Sequence, residues 1–347
     1  MGAMQTLSGS DMREAMLYEK QDGGRVLCKL CAHECVIDAE QRGICQVRQN
    51  IGGKLHTLVY NQLVAQNANP VEKKPLYHFH PGSTLYSIAT QGCNFRCQYC
   101  TNWEVSQASE TSLRGSGRGV TPEEVVASAA AARCGGIAYT YVEPTIFFEY
   151  FYDVARLASA AGLKNVLKTN GFMTRAALEL CRPYVDAANV DLKTFNDVTY
   201  RRFGGRLEPV LESLKLMKAF GIWLEVTTLV IPGVNDSDAE LGAVAGFICR
   251  ELGASTPWHV LRFFPSYKMT GINPTHVESL HRAREIGRGE GLRYIYFSNI
   301  IEQGGQDTSC HECGHVLVER QNSKLLRNSL QDGCCPNCAA QLPGLFK

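Results

Sequence analysis

From residue 84 onward the chain repeats one pattern: a short apolar run, a turn, then a longer stretch whose apolar residues recur at helical spacing. The short runs predict strands at 84–90 (TLYSIAT), 136–142 (GIAYTYV), 164–170 (KNVLKTN), 186–192 (DAANVDL), 222–230 (IWLEVTTLV), 258–264 (WHVLRFF) and 293–299 (RYIYFSN). Strands that alternate with helices favour βα units around a parallel sheet. Thr121-Pro122-Glu123-Glu124 predicts a capping box with proline at the first helical position, and Thr275 with Glu278 predicts a second box. Gly135 and Gly291 are the expected stops. About 215 residues are too few for eight full units of the usual size, so the pattern predicts an α/β fold with a partial, (βα)6-type barrel. Catalytic loops are then expected at the C-terminal ends of its strands.

The flanks differ. Segment 1–83 predicts a small independent module rich in cysteine, with a strand-like piece at 55–61, and segment 301–347 predicts a third module around paired cysteines; the barrel takes 84–300. Met1-Gly2-Ala3-Met4 reads as an expression scar, and the glycine-rich run at 114–119 as a mobile loop. With 35 basic and 34 acidic residues, no net field draws the chain to nucleic acid or to an anionic membrane. No apolar run reaches the roughly 18 residues of a membrane span, and no secretory signal pattern is present, so a soluble, cytoplasmic protein is expected. Fifteen cysteines are many for such a compartment, and most fall in close groups, which favours metal over disulfides.

The most informative group is Cys93-Asn94-Phe95-Arg96-Cys97-Gln98-Tyr99-Cys100, directly after the first predicted strand of the barrel. Three thiolates on one tight loop can hold a four-iron cubane and leave one iron without a protein ligand, much as a catalytic zinc keeps an open position. Buried thiols, or a zinc site short of one ligand, are the plainer alternatives.

The run resembles the CxxxCxΦC signature of the radical S-adenosylmethionine (SAM) superfamily, with Tyr99 at the aromatic position. More closely, the chain resembles the pyruvate formate-lyase activating enzyme group and, within it, the radical SAM enzymes of the AmmeMemoRadiSam system. EKKPLYHFHPGS, SIATQGCNFRCQYCTNWEVSQ, IAYTYVEPTIFFEY, KTNGFM, VDLKTF, LEVTTLVIPGVND, PWHVLRFFPSYKM and the C-terminal paired CxxC carry that resemblance over nearly the whole chain. It implies a [4Fe–4S] cluster on Cys93, Cys97 and Cys100 that cleaves SAM reductively to methionine and a 5′-deoxyadenosyl radical, which abstracts hydrogen from a substrate. It also implies a one-electron donor such as flavodoxin or ferredoxin, and AMMECR1- and Memo-type proteins as partners.

By the same resemblance, Thr140 and Glu143 of YTYVEP stand where activating enzymes contact the SAM amino group, and Asp191, Lys193 and Asn170 are further SAM-binding candidates. The alternatives are a cap on the helix starting at Pro144 for Glu143, a structural salt bridge for Asp191, and a turn before Gly171 for Asn170. The sequence departs from the group at Lys168, Phe264, Thr101 and Val142, which points to a divergent branch with its own substrate. Two narrower or different functions stay open: a glycyl-radical-enzyme activase, and a non-catalytic metal-rich scaffold.

Cys310 and Cys313 with Cys335 and Cys338 have zinc-ribbon spacing and predict a four-thiolate Zn2+ site, with Cys334 as a substitute ligand and a second iron–sulfur cluster as the alternative. Cys28, Cys31, Cys35 and Cys45 predict either Zn2+ or a second Fe–S cluster, which spacing does not separate. Cys134, Cys181 and Cys249 fall in helical stretches and are expected to be small buried apolar residues.

Overall fold

A computed structural model describes residues 12–107, 117–300 and 302–346. Residues 1–4, read above as an expression scar, and residues 114–116 of the glycine-rich run lie outside these residues.

The centre is an eight-stranded sheet. Its strands, in chain order, are β1 (Ala65–Pro70), β2 (Thr84–Ala89), β3 (Gly136–Tyr139), β4 (Lys164–Thr169), β5 (Ala187–Asp191), β6 (Trp223–Val230), β7 (Trp258–Arg262) and β8 (Ile295–Ser298). They lie in the order β8-β7-β6-β5-β4-β3-β2-β1, with β2 to β8 all parallel and β1 antiparallel to β2. All seven predicted barrel strands are present, each somewhat shorter than its apolar run.

Helices Pro122–Ala131, Phe148–Ala160, Arg175–Cys181, Leu207–Ala219, Asp238–Phe247 and Val277–Gly289 occupy the six connections between parallel strands. This is a (βα)6-type partial barrel. A parallel sheet needs both faces covered, which is why β3 is buried at every residue and β5 at all but its last. Phe148, Phe151, Val154 and Ala158 of the second helix supply part of the outer cover.

The caps are partly as expected. Thr121 and Glu124 form the reciprocal box. Thr275 does not cap its helix, because its hydroxyl donates to the Val230 carbonyl and accepts from Phe263 N at the ends of β6 and β7. Gly291 takes a left-handed φ of 97° after the last helix, whereas the first helix ends before Gly135, with Arg133 in the left-handed conformation.

Part of the segment 12–83 joins the barrel. Its residues 65–70 add β1 to the main sheet, and the stretch after β1 crosses the barrel floor, where Asn189 Nδ2 donates to the Pro75 carbonyl and Tyr77 N and His78 N donate to Glu225. The C-terminal strands Val316–Gln321 and Lys324–Asn328 pack below that floor. Arg320 reaches the Tyr77 carbonyl, and the His78 ring bonds both the Pro343 carbonyl and Tyr296 Oη.

Candidate functional site: a three-cysteine loop on the barrel rim

The loop that follows β2 leaves the sheet at its C-terminal rim, as do Thr140–Glu143 after β3, Asn170 after β4 and Asp191–Lys193 at the end of β5. All the predicted SAM-binding candidates are therefore on one rim. Two glycines hold the loop from outside. A Cβ on Gly205 would stand 2.3 Å from the Phe95 ring, and Gly204, at φ 85°, brings its backbone against Arg96. Arg96 N donates to the Phe203 carbonyl, and the Arg96 guanidinium bonds the Cys93, Phe95 and Ile44 carbonyls.

Cys93 and Cys97 are half-buried, and burial pushes both thiols up. Cys93 Sγ accepts from Phe95 N at 3.4 Å, and Cys100 Sγ lies 3.3 Å from the buried Ser106 hydroxyl. Asn94 is fully buried, and its Nδ2 has no hydrogen-bond partner. A buried N–H left unpaired is costly, so a donor of this kind on the residue after Cys93 fits a bound group that offers acceptors. The three sulfurs are also not drawn into the close contact that a single ion imposes. On both counts the residues present fit an iron–sulfur cluster.

Glu143 is the hub behind the loop. Its Oε1 accepts from Thr145 N (3.1 Å), Thr145 Oγ1 (2.5 Å) and Thr169 Oγ1 (2.7 Å), and its Oε2 accepts from Asn170 N at 2.7 Å. Burial still raises its carboxyl above the ordinary value. The helix-capping alternative is thus the arrangement seen, yet a carboxylate has roughly four acceptor positions, so Oε2 keeps room for a further donor. Asn170 is more than a turn residue: its Nδ2 donates to Asn94 Oδ1 at 2.7 Å, joining Glu143 to the cysteine loop.

Asp191 and Lys193 form an ion pair at 3.0 Å, as the plainer alternative held, and Lys168 closes on the other carboxylate oxygen. Burial opposes the charge on Asp191, but Lys168 and Lys193 outweigh it and bring the carboxyl down to about 2. Lys193 Nζ also lies 5.9 Å from the centre of the Tyr99 ring, which packs edge-on against Phe203. Thr140 is buried and bonds the β2 strand end through its backbone.

Sequence reasoning passed over three residues here. Lys168 stood out only as a departure; its partner became visible once the sheet set Lys168 opposite Asn189, two residues from Asp191. Asn94 lies between two cysteines and carried no signal of its own. Tyr141 takes a left-handed φ of 65°, its carbonyl accepts from Asn102 Nδ2, and its hydroxyl meets Asn69. An unfavourable φ at a tyrosine is a local strain that the surroundings must hold.

The C-terminal quartet is compact. Cys310, Cys313, Cys335 and Cys338 place their sulfurs all within 4.8 Å of one another, with pairs at 3.6 and 3.7 Å. Tetrahedral thiolates about 2.3 Å from one ion stand about 3.8 Å apart, so this is a one-ion site. Cys334 is not in the set. Cys28, Cys31, Cys35 and Cys45 instead line one pocket with Arg48. Cys134 and Cys181 are buried as expected, and Cys249 is only half-buried.

The comparisons with known proteins agree with this geometry. The Radical SAM superfamily model matches residues 87–242. An uncharacterized protein of Methanocaldococcus jannaschii is 41% identical over 333 residues, covering 95% of this chain and 99% of its own length. The benzylsuccinate synthase activating enzyme of Thauera aromatica is 25% identical over 173 residues, 46% of this chain and 52% of that protein. A radical SAM methyltransferase from Sphaerobacter thermophilus shares the fold at TM-score 0.50 and 20% identity, over 69% of this chain and 71% of that one. With three cysteines on the rim of an open parallel barrel, and the superfamily model matching the loop and its neighbouring strands, this chain belongs to the radical SAM superfamily.

Proposed function

We propose that Cys93, Cys97 and Cys100 hold a [4Fe–4S] cluster with SAM beside it, and that the enzyme abstracts hydrogen from a small molecule, peptide or protein residue. When bound, these groups supply reductive cleavage of SAM to methionine and a 5′-deoxyadenosyl radical. The remaining work belongs to the chain. Asn170 ties the cysteine loop to Glu143, which fixes the loop against the ends of β3 and β4. Glu143 Oε2 offers an acceptor for the SAM ammonium. Lys193, held charged by Asp191, offers a cation for the SAM carboxylate. Tyr99 and its apolar neighbours Phe203, Ile231 and Phe263 exclude water from the side of Cys97.

One observation carries this reading: the unpartnered Asn94 donor sits inside the three-cysteine loop, and Asn94 is joined through Asn170 to the buried carboxylate of Glu143. The C-terminal quartet has the spacing of structural zinc, and Zn2+ is the ion proposed there. A flavodoxin or ferredoxin would supply the electron, and the resemblance to AmmeMemoRadiSam enzymes supports AMMECR1- and Memo-type partners. A glycyl-radical activase is the second reading, supported by the identity to the benzylsuccinate synthase activating enzyme. The two extra cysteine groups favour a different substrate.

The test is anaerobic incubation of iron-loaded protein with SAM and dithionite, read as 5′-deoxyadenosine by mass spectrometry. Formation by the wild type and its loss in Cys97→Ala is the expected result. No deoxyadenosine from fully loaded wild type overturns the proposal.

A further inference from the structure

The N-terminal cysteines offer a choice between one zinc ion and a cluster, and the C-terminal quartet gives a standard for the first. The C-terminal quartet shows how four thiols gather when a single ion is to be held: all within 4.8 Å. Among the described residues, Cys28, Cys31, Cys35 and Cys45 do not gather that closely, although all four line the same pocket. Four irons between the thiolates hold them further apart than one zinc does, so four thiols on one pocket that are not drawn together as the C-terminal quartet is suit a cluster better than a single ion.

A second observation is independent of the sulfurs. Arg48 lines this pocket and is only 2% exposed. Two of its nitrogens are used: Nη1 pairs with Glu149 at 2.9 Å, and Nη2 donates to the Met16 carbonyl at 2.7 Å. Its Nε has no partner. An unpaired buried guanidinium N–H costs stability unless something accepts from it, and cluster sulfides and cysteine sulfurs are such acceptors. His33, between the second and third cysteines, is not free to coordinate through Nε2, which donates to the Asn94 carbonyl at 2.8 Å.

That last bond also fixes where the pocket lies. It ties the N-terminal group to the residue after Cys93, and a Cβ on Gly92 would stand 3.2 Å from the Cys45 carbonyl and 2.6 Å from Val47. The first and second cysteine groups are packed loop against loop. Leu30, Ile37 and Ile146 give the pocket apolar walls. Such walls limit solvent access, one of the levers that sets a cluster's potential.

We infer that Cys28, Cys31, Cys35 and Cys45 hold a second four-iron cluster, seated directly against the Cys93 loop, with Arg48 Nε as a donor to it. The experiment uses the full chain with Cys93, Cys97 and Cys100 all changed to Ala, reconstituted anaerobically with ferrous iron and sulfide, then assayed for iron, sulfide and zinc and by Mössbauer spectroscopy. The expected result is about four irons and four sulfides per chain, all lost when Cys31→Ala and Cys45→Ala are added. Absence of iron in the triple variant, or zinc in its place at these cysteines, overturns the inference.

Should circular dichroism show that the triple variant is unfolded, the wild type decides. About eight irons per chain supports the second cluster, and about four overturns it. A SAM-dependent change in the wild-type spectrum reports the Cys93 loop alone, so either site can fail without the other.

Discussion

The cysteines at the two ends of the barrel solve opposite problems. At the base, four sulfurs converge within 4.8 Å, which leaves an ion between them no position for a substrate. On the rim, three sulfurs of one loop stay apart, with an unpartnered amide donor among them and a carboxylate and two lysines on the adjacent strand ends. A closed set of ligands stabilises a fold, and an incomplete one does chemistry. The difference starts in the sequence: two CxxC turns present two cysteines each at the base, whereas at the rim all three cysteines come from one loop, which packs on Gly204 and Gly205.

The largest effect that sharpens this contrast is at the rim. Cys97→Ala should bring deoxyadenosine formation down to the level of a protein-free blank while leaving zinc content unchanged. At the base, Cys313→Ala should release the ion and expose 308–346 to proteolysis, since structural zinc is worth about 10 kcal/mol or more to small modules. Iron bound at the Cys93 loop should be retained in that variant; joint loss would break the contrast.

A smaller effect separates base from rim through pH. Burial pushes His78, which joins the barrel floor to the C-terminal module, down to about 4. Between the unfolded value near 6.5 and about 4, the unfolded chain binds a proton that the folded chain refuses, so stability falls as pH falls, by about 3 kcal/mol. Urea unfolding across that range should show the slope, and His78→Gln should flatten it. Smallest is Lys168→Met on the rim. It leaves Asp191 with one cation and should cost about 2 kcal/mol, measured at neutral pH by urea unfolding.

The barrel was legible because most residues of its strands are buried, so each run carries an apolar centre. β1 was not, since its sequence AQNANP is polar and ends in proline, as suits an edge strand. The cysteine groups were legible from spacing alone. Their metals were not, because spacing along the chain says which sulfurs are near each other but not how near. The Lys168–Asp191 pair depends on the register between two strands, and the Thr275 hydroxyl is captured by strand ends distant in sequence; neither is written in any local pattern.

The most direct measurement is the electron paramagnetic resonance spectrum of the dithionite-reduced protein before and after SAM is added. A cluster with an iron left open by three cysteines should change its g values on addition, and Cys97→Ala should lack the responsive signal. A reduced, iron-replete wild type whose spectrum is indifferent to SAM would contradict the central claim.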